Sequence, residues 1–255
     1  MISTKNDFKK FILIRELAEI CGIHVGDGYL RNDGRRKELD ISGGYEEKEY
    51  YDTHVIPLFN KVFNPDIKGR FFPSRSTYGF VIRDIKVIKF MHEQIGFPYG
   101  SKSLIIGVPK FIREDISLIP YFLRGYFDTD GCLNFTKQYG NYSEFNKTRH
   151  CYPRIIFSTV SSKLFKDLQK VLILVGFKLS IYNYQPKRGN ENLRYIIALY
   201  GKTNLNAWLN MIGMKNPTKY SKFLIWKKFG FCPSNTNSQQ RRRILKGELH
   251  PRLLY

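Results

Sequence analysis

Two aspartates, Asp27 and Asp130, close two copies of one nine-residue pattern, ICGIHVGDG at Ile20–Gly28 and LRGYFDTDG at Leu123–Gly131. Both copies read apolar-x-Gly-x-x-x-small-Asp-Gly, and the acids stand 103 positions apart. Each acid ends an apolar, helix-like run and precedes a glycine suited to a left-handed cap. A carboxylate there faces the negative pole of the helix macrodipole, an unfavourable placement of roughly 0.3–1 kcal/mol. Two such carboxylates brought together also repel and raise one pKa. A hard divalent cation removes both penalties, and Mg²⁺ takes one or two carboxylates with water and substrate phosphate oxygens. The chemistry that fits is metal-assisted phosphodiester hydrolysis. A single Asp-Gly is usually a surface turn; its recurrence at equivalent helix ends favours a site.

The elements that position these acids must be paired helices. Gly22 and Gly26 share one helical face, and Gly125 and Thr129 occupy the same places in the second copy. Small residues four apart let helix backbones approach closely, which accounts for interior glycines that each cost roughly 1 kcal/mol of helix propensity. Around each motif the same element order follows. The first half reads RNDGRRK as a turn, ELDIS as a strand, a helix from Glu46 to Phe63, a strand pair in DIKGRFFPSRSTYGFVIRD, and a helix over Lys86–Ile95. The second reads a longer connection Lys137–Pro153, strand RIIFSTV, helix SSKLFKDLQKVLILVGF, strands KLSIYNYQ and LRYIIALYG around PKRGN, and helix TNLNAWLNMIG. Ile41-Ser42 answers Phe157-Ser158 at an offset of 116, and Ile95-Gly96 answers Ile212-Gly213 at 117. The chain is therefore an internal duplication of class α+β, with repeats 1–115 and 116–233 and a basic C-terminal extension 234–255. Alternation through Arg70, Phe71, Phe72, Arg75, Tyr78, Phe80 and Ile82 predicts sheets with one face on the core and a basic face outward.

Composition narrows the partner. Forty-two Lys+Arg against 22 Asp+Glu give a formal charge of +20, whose self-repulsion a polyanion relieves. No apolar run approaches the ~20 residues of a membrane span, and MISTKNDFKK has no signal-peptide pattern. The expected setting is thus cytoplasmic (nucleoid-associated) or an organellar matrix, not secreted, with no membrane partner. Cys21, Cys132, Cys151 and Cys232 lack CxxC spacing, which argues against zinc and for free thiols in a reducing compartment.

The two motifs, above all FLRGYFDTDG, resemble those of LAGLIDADG homing endonucleases in their double-motif, single-chain form, and the resemblance extends from about residue 15 to 232. It implies two pseudo-two-fold related αββαββα repeats with saddle-shaped antiparallel sheets lying in the DNA major groove. It also implies a monomer that makes a double-strand cut at a long asymmetric or pseudo-palindromic site. By that match Asp27 and Asp130 are the metal-binding acids, with Gly26 and Thr129 beside them. Mg²⁺ is the implied cofactor, Mn²⁺ substitutes, and Ca²⁺ supports binding without cleavage. Lys102 in GSKSLIIGVP and Lys219 in NPTKYSK match the lysines that the family places near the scissile phosphate. The first motif has Val25 where the second has Asp128; that position varies and is not the metal ligand, so Asp128 is expected to make a local or inter-helix hydrogen bond. His24 is expected to be a core or interface residue, and Arg124 to reach either a phosphate or a surface ion-pair partner.

DNA contact is expected from Arg31, Arg35, Arg36, Lys37, Lys68, Arg70, Arg75 and Arg83 in the first half. The second half offers Lys137, Arg149, Arg154, Lys178, Lys187, Arg188, Arg194 and Lys202. Lysines neutralise phosphates and arginines can read guanine edges. Arg241–Arg243 either extend backbone contact or lie in a disordered end. Two alternatives stand beside cleavage: an RNA-binding maturase acting on its own intron RNA, and a non-catalytic DNA-binding regulator. An intein is disfavoured, because the termini lack splicing residues.

Overall fold

The structure is a computed structural model that describes residues 5–137, 148–186 and 191–255, with side chains from residue 13 onward. In the first half, α1 (Lys5–Asp27) leads to β1 (Gly28–Asn32) and β2 (Lys37–Gly44). A 3-10 turn (Tyr45–Glu47) then opens a helical run made of α2 (Lys48–Tyr50), a wide turn (Tyr51–Val55) and α3 (Ile56–Phe63). Next come β3 (Arg70–Phe72), β4 (Thr77–Ile82) and α4 (Ile85–Lys89), prolonged by a wide turn (Phe90–Gln94). After a short α5 (Lys110–Glu114), the second half repeats the order: α6 (Ile119–Thr129), β5 (Cys132–Thr136), β6 (Tyr152–Thr159), α7 (Ser162–Leu174), β7 (Ser180–Tyr184), β8 (Arg194–Tyr200) and α8 (Gly201–Met211). Two further helices, α9 (Pro217–Phe229) and α10 (Ser238–Lys246), and a 3-10 turn (Pro251–Leu254) end the chain.

Each half contributes one antiparallel sheet of four strands, in orders β1-β2-β4-β3 and β5-β6-β8-β7. The registers agree: Ile41 pairs Phe80 in one sheet and Phe157 pairs Ile197 in the other. The duplication inferred from sequence offsets is therefore a duplication of strand register, and the class is α+β in two repeated halves. Leu30, Leu39, Ile41, Phe80 and Ile82 point into the core with Phe59 and Ile88, and Leu133, Ile155, Phe157, Ile197 and Leu199 do so with Leu168 and Trp208. Burying a side chain of this size stabilises by about 1.5–3 kcal/mol, so alternation sets which face turns inward. Side chains also set the helix starts: Asp84 accepts from Lys86 N, Ser161 from Leu164 N and Asn216 from Thr218 N.

Two expectations need amendment. The first-motif connection is not all turn, since Gly28–Asn32 is a strand paired with β2; its single apolar inward residue, Leu30, gave too short a pattern to read. The end of the chain is ordered. Asn237 and Gln240 form a reciprocal capping box, Gly247 takes the left-handed cap, and Arg241, Ile244 and Pro251 are buried. Spaced apolar residues inside a basic segment hid this packing. The four cysteines are free, as expected. Among the described residues no helix is long and apolar enough to cross a membrane.

Candidate active site at the ends of two paired helices

The centre of the molecule is the contact of α1 with α6. A Cβ on Gly22 would stand 2.1 Å from Phe122 O, and one on Gly125 would stand 2.2 Å from Glu19 O. Phe122 follows Glu19 by the same 103 residues that separate Gly125 from Gly22, so the contact is two-fold symmetric and only glycine admits it. At the helix ends a Cβ on Gly26 would meet Thr129 Oγ1 at 2.1 Å. The four expected interface residues, Gly22, Gly26, Gly125 and Thr129, are thus all at the contact.

Asp27 is the last residue of α1, and Asp130 caps α6. Tyr51 donates to Asp27 Oδ2 at 2.7 Å. Burial, and then the Glu47 charge, push the Asp27 pKa up to about 7. Asp130 is exposed, yet the flank it buries raises its carboxyl too, against the pull of Lys102 and Lys219. Glu47, which the sequence did not single out, brings a third carboxylate. A Cβ on Gly43 would lie 2.6 Å from Glu47 Oε2 and 2.9 Å from Asp27 Oδ2, so that glycine leaves room where the two acids meet. Asn216 donates to Glu47 Oε1 at 2.7 Å, and burial raises the Glu47 pKa.

The two lysines occupy equivalent places. Lys102 Nζ donates to His24 O and to Gly26 O, the latter at 2.7 Å. Lys219 Nζ donates to Phe127 O and Thr129 O, both at 2.6 Å. These carbonyls are 103 residues apart in each pair, and helix-end carbonyls have no intrahelical partner. Each ammonium therefore closes the last turn of a motif helix, and its charge offsets the unfavourable pole that the aspartate faces. Burial draws Lys102 down to about 8 and lowers Lys219 as well.

The donor set suits a hard cation: carboxylates, backbone carbonyls, and no soft ligand. Among the described residues no three His, Cys, Asp or Glu side chains form a closed metal cage, so a cation here relies on water and substrate oxygens as well. The raised Asp27 pKa marks a carboxylate whose charge lacks compensation in the protein alone.

Three neighbouring polar groups are structural. Asp128 is buried, accepts from Lys215 N at 2.7 Å and has its pKa pushed by burial to about 6; its donor comes from the connection before α9, so the bond is neither local nor from the paired helix as expected. His24 is fully buried against Phe97. Arg124 makes an ion pair, but with a buried partner rather than the surface one expected: its Nε donates to Glu19 Oε1 at 2.9 Å across the helix contact, and His54 Nε2 lies 2.7 Å from the same oxygen. Burial alone would raise the Glu19 carboxyl, but bonds from Arg124 and His54 outweigh it and hold it at about 2.

The outward sheet faces carry part of the expected basic set. By register, Arg31, Arg70, Arg154 and Arg194 lie on them, while Arg35, Arg36 and Lys37 stand exposed at the β1–β2 hairpin and Lys68, Lys178 and Lys202 elsewhere at the surface. Lys137 and Arg149 are half-buried at the ends of the long connection; Lys187 and Arg188 lie outside the described residues. The first face is not purely basic. Asp40 holds Arg75 at 2.7 Å, Glu38 holds Arg83 at 2.9 Å, and Asp33 holds Arg31 at 2.9 Å. The second face is aromatic, with Tyr152, Tyr182 and Tyr200 around Arg154 and Tyr184 opposite Arg194. Arg241 is corrected: it is 2% exposed and bonded internally, so it is not a DNA-contacting residue.

Residues 118–213 match the LAGLIDADG-like domain model. A curated relative, the replication factor C small subunit of Methanocaldococcus jannaschii, is 26% identical over 82% of this chain, which spans about a tenth of that protein's length (10%). Among solved structures, the homing endonuclease I-DmoI in complex with DNA and Mn superposes with TM-score 0.53 at 15% identity, over 79% of this chain and 97% of that one. Full-length DUF199/WhiA from Thermatoga maritima does so at 0.50 and 14%, over 95% and 84%.

Proposed function

We propose that this chain, which has the two-repeat fold of LAGLIDADG proteins with a LAGLIDADG-like second half, is a metal-dependent, site-specific DNA endonuclease. The observation that carries this reading is the symmetric pair of acids. Asp27 and Asp130 end two helices in contact, and each helix end is closed by its own lysine.

Asp27, Asp130 and the carbonyls of Gly26 and Thr129 would hold a divalent cation, with Glu47 next to Asp27. A carbonyl oxygen has a second lone pair, so the lysine bonds at Gly26 and Thr129 leave acceptor capacity. Mg²⁺ is the expected ion, with Mn²⁺ able to substitute; bound there, it would supply an activated water and charge stabilisation at the leaving oxygen. The protein's own part is positional. Tyr51 orients Asp27, Asn216 orients Glu47, and Lys102 and Lys219 bring positive charge to the place where a phosphate would sit. Duplex DNA would lie along the outward sheet faces. Because the two faces differ, the target would be asymmetric.

A genome or randomised plasmid library incubated with the protein in Mg²⁺ tests this directly, with cut ends identified by sequencing. Asp27→Asn and Asp130→Asn should each abolish double-strand cleavage while leaving binding in Ca²⁺ nearly intact. Wild-type double-strand cleavage by either variant sinks the site assignment, and no cut in any DNA sinks the reading.

A further inference from the structure

The Asp27 centre has a support that the Asp130 centre lacks. The turn Tyr45–Glu47 carries Glu47, and its middle residue, Glu46, is held from the far end of the chain. Ser238 Oγ donates to Glu46 Oε2 at 2.8 Å, and Arg241 Nη2 lies 3.9 Å from the same oxygen. Arg241 is buried: Nε donates to Ser221 Oγ on α9 at 3.0 Å, and Nη2 donates to Ser238 Oγ within α10 at 3.1 Å. The N-terminus of α9 grips the same turn, through Asn216 to Glu47 and through Thr218 Oγ1 to Glu46 O at 3.3 Å. Arg242 adds an ion pair to Glu49 at 2.6 Å.

The corresponding place in the second half is built otherwise. Ser161 directly caps α7, donating to Ile106 O at 2.7 Å and accepting from Leu164 N at 3.1 Å. The open cavity of about 400 Å³ beside Asp130 is lined by Lys102, Ser158, Thr159 and Arg194, and by no residue after 194. Residues of the C-terminal segment also line a cleft with Asn134, Phe135 and Thr136 of β5, but its bonds to an acid-bearing turn reach Glu46 beside the Asp27 centre.

We propose that residues 234–255 are a positioning brace for the Asp27 centre, with Ser238 and Arg241 acting through Glu46 to place Glu47 beside Asp27. Loosening the brace converts a double-strand cutter into an enzyme that nicks one strand. This rests on the endonuclease reading, in which each motif aspartate serves one strand. A side chain displaced by about 1 Å can cost up to 100-fold in rate, so a turn held through four side chains is a sensitive point.

The test uses the full chain, a strand-labelled duplex target, and the variants Glu46→Ala, Arg241→Met and Glu46→Gln. Glu46→Ala and Arg241→Met should slow one strand at least about tenfold, with nicked duplex accumulating and affinity in Ca²⁺ unchanged. The slowed strand should be the one that Asp130→Asn still nicks. Glu46→Gln, which still accepts from Ser238, should keep the wild-type strand ratio. Hydrogen exchange provides a readout without DNA: residues 45–51 should exchange faster in Glu46→Ala, and residues 158–164 should not. Equal slowing of both strands, or unchanged exchange at 45–51, overturns the brace. Glu46 is exposed, so Glu46→Ala remains readable if Arg241→Met fails to fold. A wild type that cuts no DNA defeats the endonuclease reading instead, and exchange then decides whether the brace holds the turn.

Discussion

A carboxylate whose folded pKa exceeds its unfolded value binds protons more tightly in the native state. For Asp27 the values are about 7 and 3.8, so the metal-free fold loses stability as pH rises from about 4 to about 7. Two results are expected. Calorimetry without metal at pH 8 should give Asp27→Asn a higher Tm than wild type, even though the variant has lost cleavage. Mg²⁺ should raise the wild-type Tm more than that of the variant, because binding to the native state alone stabilises it. If the chain cleaves DNA as proposed, cleavage at limiting Mg²⁺ should increase as pH rises toward about 7, and saturating Mg²⁺ should move that rise to lower pH, because the cation favours the ionised carboxylate. Glu19 behaves in the opposite sense. Its pKa is held at about 2, below the ordinary 4.5, so its contribution is complete above pH 4.5 and is lost as pH falls toward 2. Arg124→Met leaves that buried charge without its main partner and should cost about 3–5 kcal/mol at neutral pH, measured by urea unfolding.

At the scale of elements, the α1–α6 contact is a close approach of backbones, and its tolerance is set by atoms that cannot move aside. Gly22→Ala drives a methyl into Phe122 O, and Gly125→Ala into Glu19 O. Each should destabilise by about 1–3 kcal/mol or more, the range of overpacked cores. In the double variant the effects should not add, because one separation of the helices relieves both clashes; a double-mutant cycle in denaturant checks this. The same separation would move Asp27 from Asp130, so activity should fall further than stability predicts. The motif glycines and strand registers were legible in the sequence because duplication displayed each twice. Strand β1 and helix α9 were not: one has a single buried apolar residue, and the other had no copy in the first half to compare with.

Across the whole molecule the charge of +20 is real, but its distribution is uneven. The first sheet face holds three of its arginines in ion pairs with Asp33, Glu38 and Asp40. Exposed pairs of this kind contribute about 0–1 kcal/mol, so a phosphate can displace the acids readily. Asp40→Asn should therefore tighten binding to non-specific DNA and narrow the preference for the specific site. Lys37→Ala, at the hairpin tip, should weaken both alike and reduce the slope of log K against log salt by about 1. Fluorescence anisotropy over a salt series separates the two.

The sequence by itself determined the duplication, the place of both aspartates at helix ends, the glycine face between the helices, and the net positive charge. Each is a local pattern or a sum over residues, and repetition in register made the patterns readable. Only the tertiary structure decided what surrounds the acids. Glu47 reaches Asp27 across a turn, Asn216 reaches Glu47 from 169 residues away, and Arg124 turns to Glu19 rather than to solvent. The C-terminal helix closes on the first half through a buried arginine that composition alone counted as surface charge. Such contacts depend on which side chains meet once the helices and sheets have packed, and no spacing along the chain encodes them.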